Sequence, residues 1–212
     1  MLGSYRRLTL HLRMWRSLLQ NGIISLNMNR MLLIVDPQVD FVTGSLPVPG
    51  AVEAMDGLAD YVRRRGDGYA CRVITADRHP YDHFSFDRNG GPWPQHCVHD
   101  TVGAAVVPAV FDAVYGCCGE AMVLHKGMRS GVEEYSIFDS DSGRDALLDA
   151  VRRHDIGSVD LCGLAGDVCL LATLRDFVAA MPGLRFRVLR SYSPSLDGGA
   201  ALDAFCRAQG IQ

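Results

Sequence analysis

The stretch Met31-Leu-Leu-Ile-Val-Asp36 determines how the rest of the chain is interpreted. Five apolar residues that stop at a carboxylate are typical of a buried strand in a parallel sheet. Three later stretches have the same form, namely 72–77, 121–126 and 159–163, and they lead to Asp77, Lys126 and Cys169. Because the carboxyl ends of parallel strands meet at one edge of the sheet, we expect these four side chains to face one crevice.

The alternation of strand and helix signals after Met31 predicts the fold. It indicates an α/β architecture, a three-layer, doubly wound parallel sheet with helices on both faces. Apolar spacing predicts a helix over 51–65, one capped by Asp141 or Ser142, one starting near Asp167 and one over 196–208, with a fifth strand over 184–189. The segment 78–108 is rich in histidine, proline, glycine and aromatic residues, which predicts an ordered functional loop.

Composition limits the classes of partner. A chain of 212 residues, 48% hydrophobic, is large enough to bury one full core. Its net charge of -3 is unsuited to nucleic acid, and no apolar run approaches the roughly 20 residues that span a membrane. Seven cysteines without the spacing of a disulfide framework indicate reduced thiols in the cytoplasm. We expect a small-molecule partner, no nucleic acid and no membrane, and leave a homo-oligomer open.

Residues 1–30 differ from the domain predicted at 31–212. They contain five arginines and neither aspartate nor glutamate. Three interpretations stay open: a targeting segment, an added surface helix near 8–19, or an over-extended start, since Met28 and Met31 lie just before the first strand.

Cys169 is the candidate nucleophile. It lies in the first turn of a predicted helix, where unpaired N–H groups and the helix dipole favour a thiolate and can also hold an oxyanion. A buried structural thiol is the alternative. Asp36 could take the thiol proton and Lys126 could hold the resulting charges, whereas the alternatives are a helix or loop cap for Asp36 and a solvated strand end for Lys126.

The loop after the second strand offers a metal site. One carboxylate and three imidazoles occur close together in the sequence: Asp77, His79, His83 and His96. Such ligands suit one divalent ion, most of all zinc, with iron or manganese as alternatives. An isolated Asp-x-His is weak evidence, but four candidates beside one strand end strengthen the interpretation.

Five segments carry a family resemblance. They are VDPQVDF at 35–41, DRHPYDHFSF at 77–86, WPQHC at 93–97, KG at 126–127 and GLAGDVC at 163–169. In this order they resemble the nicotinamidase/pyrazinamidase family of the isochorismatase-like cysteine hydrolases. The resemblance extends from Met31 to the C-terminal helix.

The resemblance implies an activity and its catalytic groups. It implies a metal-dependent amidohydrolase of NAD salvage that converts nicotinamide to nicotinate and ammonia through a cysteine thioester. The residues that match the catalytic triad are Asp36, Lys126 and Cys169. Those that match the metal ligands are Asp77, His79 and His96, and His83 matches a histidine that joins the ligands in some members only.

The resemblance also implies how the substrate is held. Phe41 and Trp93 match the aromatic walls around the pyridine ring. The turn at Leu164-Ala165 matches a cis peptide that directs the N–H of Ala165, with that of Cys169, at the substrate oxygen. Gly166 departs from the many relatives that carry threonine or serine there, which concerns substrate preference and not the reaction.

Two other functions remain as alternatives. One is another isochorismatase-like cysteine hydrolase that acts on a different small amide, although those enzymes generally lack the metal motifs found here. The other is a non-enzymatic thiol sensor or metal-binding protein, in which Cys169 is reversibly oxidised. Ammonia release and metal analysis distinguish the three.

Overall fold

The computed structural model describes residues 29–212. The predicted extension at 1–30 and the helix considered near 8–19 therefore lie outside the described residues, apart from Asn29 and Arg30, which begin the first strand. The domain boundary at residue 31 stays a prediction.

The centre of the fold is a five-stranded parallel sheet. Its strands are β1 (Asn29–Val35), β2 (Cys71–Asp77), β3 (Glu120–Lys126), β4 (Ile156–Gly163) and β5 (Arg185–Val188). The spatial order is β3-β2-β1-β4-β5, and every neighbouring pair is parallel. The order reverses between β1 and β4, so a crevice opens there at the carboxyl ends of the strands. The predicted doubly wound sheet is confirmed.

Helices cover both faces of the sheet. They are α1 (Val39–Val42), α2 (Ala51–Arg65), α3 (Pro108–Tyr115), α4 (Asp141–Arg153), α5 (Cys169–Ala180) and α6 (Ala200–Gln209). Alternate residues of β1 point to opposite faces. Leu33 packs in a core with α4, α5 and α6, and Ile34 in a second core with α2 and α3. None of the described helices has the length and apolar character needed to cross a membrane.

Several elements differ from the sequence-based expectation. The α4 helix is capped by Ser140, whose side chain accepts from the Gly143 N–H at 3.3 Å, so Asp141 and Ser142 lie inside the helix. The α3 helix was not predicted, although Pro108 at its first position is a start signal. The α6 helix begins at Ala200 and not at residue 196, because the Asp167 carboxylate binds the N–H groups of 196 and 197 in a turn.

Candidate active site

Four polar residues meet at the carboxyl edge of the sheet. Asp36 directly follows β1, Asp77 ends β2, and Lys126 ends β3 in register with Asp77. Cys169, the first residue of α5, follows the turn after β4. The crevice expected from the ends of the apolar runs therefore exists, and all four side chains line its floor as buried groups.

The ammonium of Lys126 is the centre of this cluster. Its Nζ lies 2.9 Å from Asp36 Oδ2, 2.6 Å from Asp77 Oδ1 and 3.6 Å from Cys169 Sγ. Burial opposes a charged ammonium, but the two carboxylates outweigh it and raise the pKa of Lys126 well above its usual value. Lys126 is also the only lysine in the chain, a sequence signal that would have strengthened its assignment. The surroundings of Lys126 therefore favour the charged ammonium.

One carboxylate oxygen of Asp36, Oδ2, accepts no hydrogen bond in the described part of the chain. Its Oδ1 accepts a hydrogen bond from Thr75 Oγ1 at 2.7 Å. Its Oδ2 is within ion-pair distance of Lys126 but out of line for a hydrogen bond, and it has no other partner in the described part of the chain. Burial raises the pKa of Asp36, and the nearby Asp77 raises it further against the effect of Lys126. An acceptor with an elevated pKa suits a general base.

The surroundings of Cys169 favour the thiol over the thiolate that the helix start alone indicates. Its sulfur lies within 4.8 Å of carboxylate oxygens of Asp36 and Asp77. Burial raises the pKa of Cys169 well above its usual value, and the two carboxylates add to this against the attraction of Lys126. The helix start alone suggested a thiolate, but a second net negative charge in a buried site costs more than that position offsets.

The turn between β4 and α5 presents free N–H groups. The peptide between Leu164 and Ala165 is cis. The N–H groups of Ala165 and Cys169 donate to no backbone carbonyl in the described residues, and both residues line the cavity beside the sulfur. Gly163 allows this geometry, because a Cβ there would lie 2.0 Å from the Val35 carbonyl oxygen. The arrangement can bind an oxyanion.

Gly166 is also held by close contacts. A Cβ at this position would lie 2.3 Å from Ser195 Oγ and 2.7 Å from the Ser193 carbonyl oxygen. The Gly166 N–H donates to the Pro194 carbonyl at 2.8 Å. A threonine or serine at position 166 would therefore displace the 193–195 segment, whose Ser195 hydroxyl occupies that space.

Asp77, His79 and His96 form a group whose donor atoms lie within 4.8 Å of one another. The Nδ1 atoms of His79 and His96 lie 2.9 and 2.7 Å from the carbonyl oxygens of Gly127 and Pro94. Because a carbonyl only accepts, each Nδ1 carries the proton and each Nε2 offers a lone pair. Burial and the neighbouring imidazoles lower the pKa of His79 to about 3. Two imidazoles whose Nε2 atoms face a carboxylate fit a divalent metal.

His83 lies outside this group. Its Nε2 is 3.1 Å from the Val132 carbonyl oxygen and its Nδ1 is 2.7 Å from Ser85 Oγ, so both ring nitrogens are engaged. The ring instead packs against His79, with 4.3 Å between the ring centroids. Sequence spacing placed His83 near the ligands but could not indicate where its nitrogens point.

A small cavity lined mainly by apolar atoms lies between Cys169 and the three-residue metal group. Phe41 and Trp93 both line it, and Trp93 Nε1 donates to Tyr135 Oη at 3.1 Å. Sequence reasoning missed further lining residues: Leu46, Val48, Glu133, Tyr135, Val168 and Leu196. A small cavity with an aromatic lining suits a small planar ligand.

Two supporting residues were also missed as functional positions. Gln38 clamps the strand end, because its Nε2 donates to the Asp77 carbonyl at 2.8 Å and its Oε1 accepts from the Asp77 N–H at 2.8 Å. Asp40 Oδ2 accepts from the Cys97 N–H at 2.7 Å and so fixes the residue after His96. Both are polar residues that alternate with Val39 and Phe41 in the motif after β1, which was the available signal.

Fold and site together define an α/β protein with a candidate nucleophilic cysteine at the carboxyl edge of its sheet, beside a candidate metal group. The chain belongs to the isochorismatase family, because the model of the isochorismatase domain matches residues 30–190. The family resemblance noted in the sequence is thereby confirmed.

Individual relatives agree with this assignment. The chain is 33% identical to the nicotinamidase of Escherichia coli over 169 residues, 69% of this chain and 75% of the relative. The structure of a Pyrococcus horikoshii pyrazinamidase in complex with zinc is similar, with a TM-score of 0.74, 31% identity and coverage of 87% and 97%. PnC1 from L. infantum in complex with nicotinate gives a TM-score of 0.75 at 28% identity, with coverage of 87% and 91%.

Proposed function

We propose that this protein is a nicotinamidase that hydrolyses nicotinamide to nicotinate and ammonia in NAD salvage. The observation that carries the proposal is the buried Cys169 thiol beside Asp36 and Lys126, at the base of an aromatic cavity. The similarity to a nicotinamidase at 33% identity supports it.

In the first half-reaction, we assign the nucleophile to Cys169 and the general base to Asp36. The free Oδ2 of Asp36 accepts the thiol proton as the sulfur attacks the carboxamide carbon. The N–H groups of Ala165 and Cys169 donate to the oxygen as it becomes negative. Lys126 stays protonated and offsets the charge that develops on sulfur.

Asp36, protonated in the first step, then acts as the general acid. Protonated Asp36 gives its proton to the departing amine, which leaves as ammonia while the acyl group remains on Cys169 as a thioester. In the second half-reaction a water molecule attacks the thioester carbon and loses a proton to Asp36. That proton returns to the Cys169 sulfur as the acid leaves, so the resting thiol is restored.

We propose that Asp77, His79 and His96 hold one divalent metal ion, zinc in the first place and iron or manganese as alternatives. The free Nε2 lone pairs and the buried carboxylate support this set, and the similar P. horikoshii protein is described with zinc. A bound ion supplies a Lewis acid that accepts a lone pair from a substrate nitrogen or oxygen. His83 stays outside the proposed set, because both of its nitrogens are engaged.

We propose that Phe41 and Trp93 flank the aromatic ring of the substrate, since both line the cavity next to Cys169. A reducing, cytoplasmic compartment is part of the proposal and is supported by the cysteines, all seven of which are free. Nicotinamide is a neutral aromatic amide, which suits a cavity whose lining is mainly apolar.

An ammonia-release assay tests the proposal. Nicotinamide, pyrazinamide and several aliphatic amides are compared, each with and without a chelator. We expect the ring carboxamides to react, the aliphatic amides to react poorly, and chelation to remove activity. Ammonia release only from aliphatic amides would identify a different hydrolase of this family, and none from any amide would favour a thiol sensor or metal-binding protein.

A further inference from the structure

Glu134 is a buried carboxylate for which the proposed reaction has no task. It lies in the connection between β3 and α4, with 3% of its surface exposed, and it does not line the cavity. A buried charge is costly unless it has partners. Its partners therefore indicate what it does.

The Glu134 carboxylate binds the backbone that follows Lys126. Its Oε2 accepts from the Gly127 N–H at 2.6 Å, and its Oε1 accepts from Arg129 Nε at 2.5 Å. Arg129 is 58% exposed, so the ion pair faces solvent while the bond to Gly127 is buried. A short bond from an N–H to a carboxylate is among the stronger hydrogen bonds in proteins.

Gly127 in turn contacts the metal group. Its carbonyl oxygen accepts from His79 Nδ1 at 2.9 Å. Its φ is +70°, and a Cβ at this position would lie 2.6 Å from His79 Cε1 and 3.1 Å from Asp77 Oδ1. The backbone at Gly127 is thus packed directly against the imidazole, and a small displacement of that backbone would turn the ring.

We propose that Glu134 is a positioning residue for the metal centre. By holding the Gly127 N–H, it fixes the carbonyl that orients His79, so that Nε2 faces Asp77 and His96. Glu134 acts through an acceptor bond to the backbone and contacts neither metal nor substrate. The inference rests on the proposed metal centre and adds a residue that no motif of the sequence singled out.

The size of the effect follows from outer hydrogen bonds to metal ligands in general. Loss of such a partner typically weakens metal binding by about 10–100-fold. Glu134 does not bind the ligand His79 directly but binds Gly127, whose carbonyl binds His79. Its own bond to Gly127 is charge-assisted and buried. We therefore expect an effect toward the lower end of that range.

The test measures zinc affinity and not activity. The full-length protein is loaded with Zn²⁺ and titrated with a chromophoric chelator, as are Glu134→Met, Glu134→Gln and the control Arg129→Gln. Methionine keeps the volume but removes both acceptors, so zinc affinity should fall about tenfold. Glutamine keeps an acceptor for the Gly127 N–H and should stay within about threefold, and Arg129→Gln within about twofold.

The outcomes separate the alternatives. Unchanged zinc affinity in Glu134→Met overturns the inference. Equal losses in Glu134→Met and Glu134→Gln would overturn it in favour of a through-space charge effect, and an equal loss in Arg129→Gln would assign the effect to the ion pair. Tight zinc binding without ammonia release would reject the proposed function and leave this inference standing, whereas ammonia release by a protein that binds no zinc would overturn this inference and leave the proposed hydrolysis standing.

A second measurement needs no substitution and covers the case in which Glu134→Met does not fold. The Gly127 amide proton of the unsubstituted protein should be shifted downfield in the NMR spectrum and protected from hydrogen exchange. Rapid exchange of that proton overturns the inference, because the bond from Gly127 to Glu134 would then be absent.

Discussion

Replacing Lys126 with methionine should destabilise the protein by about 3–5 kcal/mol near neutral pH, the usual cost of breaking a buried ion pair. The ammonium lies 2.9 Å from Asp36 and 2.6 Å from Asp77. At an effective dielectric constant of about 20, each attraction amounts to about 6 kcal/mol before the ammonium's own desolvation is subtracted. Methionine keeps an unbranched four-atom stem and removes the terminal ammonium, so the loss is mainly one of charge.

The loss should depend on pH in a defined direction. Without the ammonium, Asp77 repels Asp36, whose pKa is already raised by burial. The folded variant then binds a proton that the unfolded chain releases above its ordinary pKa of about 3.9. Stability of the variant therefore falls as pH rises through the raised folded-state pKa, and the difference from the unsubstituted protein shrinks as pH is lowered.

Urea unfolding, followed by tryptophan fluorescence between pH 5 and 8, measures the free energy of unfolding of Lys126→Met and of the unsubstituted protein. Ammonia release is measured in parallel. The exposed pair of Arg63 with Asp60 provides the control, since Arg63→Met should cost at most about 1 kcal/mol. If about 4 kcal/mol of transition-state stabilisation is lost, turnover falls about a thousandfold. A destabilisation below about 1 kcal/mol, or one that does not vary with pH, would refute the reasoning.

Because the chain has one lysine, the protonation of the Lys126 ammonium can be measured directly. Isotope labelling of lysine side chains yields one side-chain NMR signal, because Lys126 is the only lysine in the chain. An exposed lysine is half neutral at a pH of about 10.4, which is its ordinary pKa. The Lys126 ammonium should still be protonated at that pH. Titration at or below that pH would contradict the central position of Lys126 in the charge network.

Four further predictions follow from the same geometry. Cys169→Ala should abolish ammonia release and leave the circular dichroism spectrum unchanged; full activity would exclude a covalent intermediate. His79→Ala should lose bound metal and activity together, as metal analysis and the ammonia assay would show, and an active metal-free variant would remove the metal from the mechanism. The acid limb of kcat/KM should lie above the ordinary carboxylate pKa, because Asp36 with a raised pKa is protonated as pH falls; a limb near pH 4 would contradict this. Thr75→Val removes the 2.7 Å bond to Asp36 Oδ1 and should move that limb to higher pH while lowering stability by about 1–3 kcal/mol, whereas an unmoved limb would mean that Thr75 has no influence on the base.

The sheet and the convergence of its polar ends could be predicted from the sequence. Apolar runs that end at Asp36, Asp77 and Lys126 report strand burial and strand ends directly, because both depend on local pattern. The residue types at Asp77, His79 and His96 could likewise be identified from the sequence as candidate metal ligands. The α3 helix was missed since its eight residues are too few for a clear period.

Ionisation and orientation were decided by the tertiary structure. The helix start at Cys169 indicates a thiolate, yet burial beside Asp36 and Asp77 raises the pKa of the thiol. His83 and His96 look equivalent in the sequence, but the carbonyl of Val132 and the hydroxyl of Ser85 engage both nitrogens of His83. Local pattern determines what each segment becomes and which way it faces, whereas pKa and ligand geometry depend on charges and acceptors that other segments bring within a few ångströms.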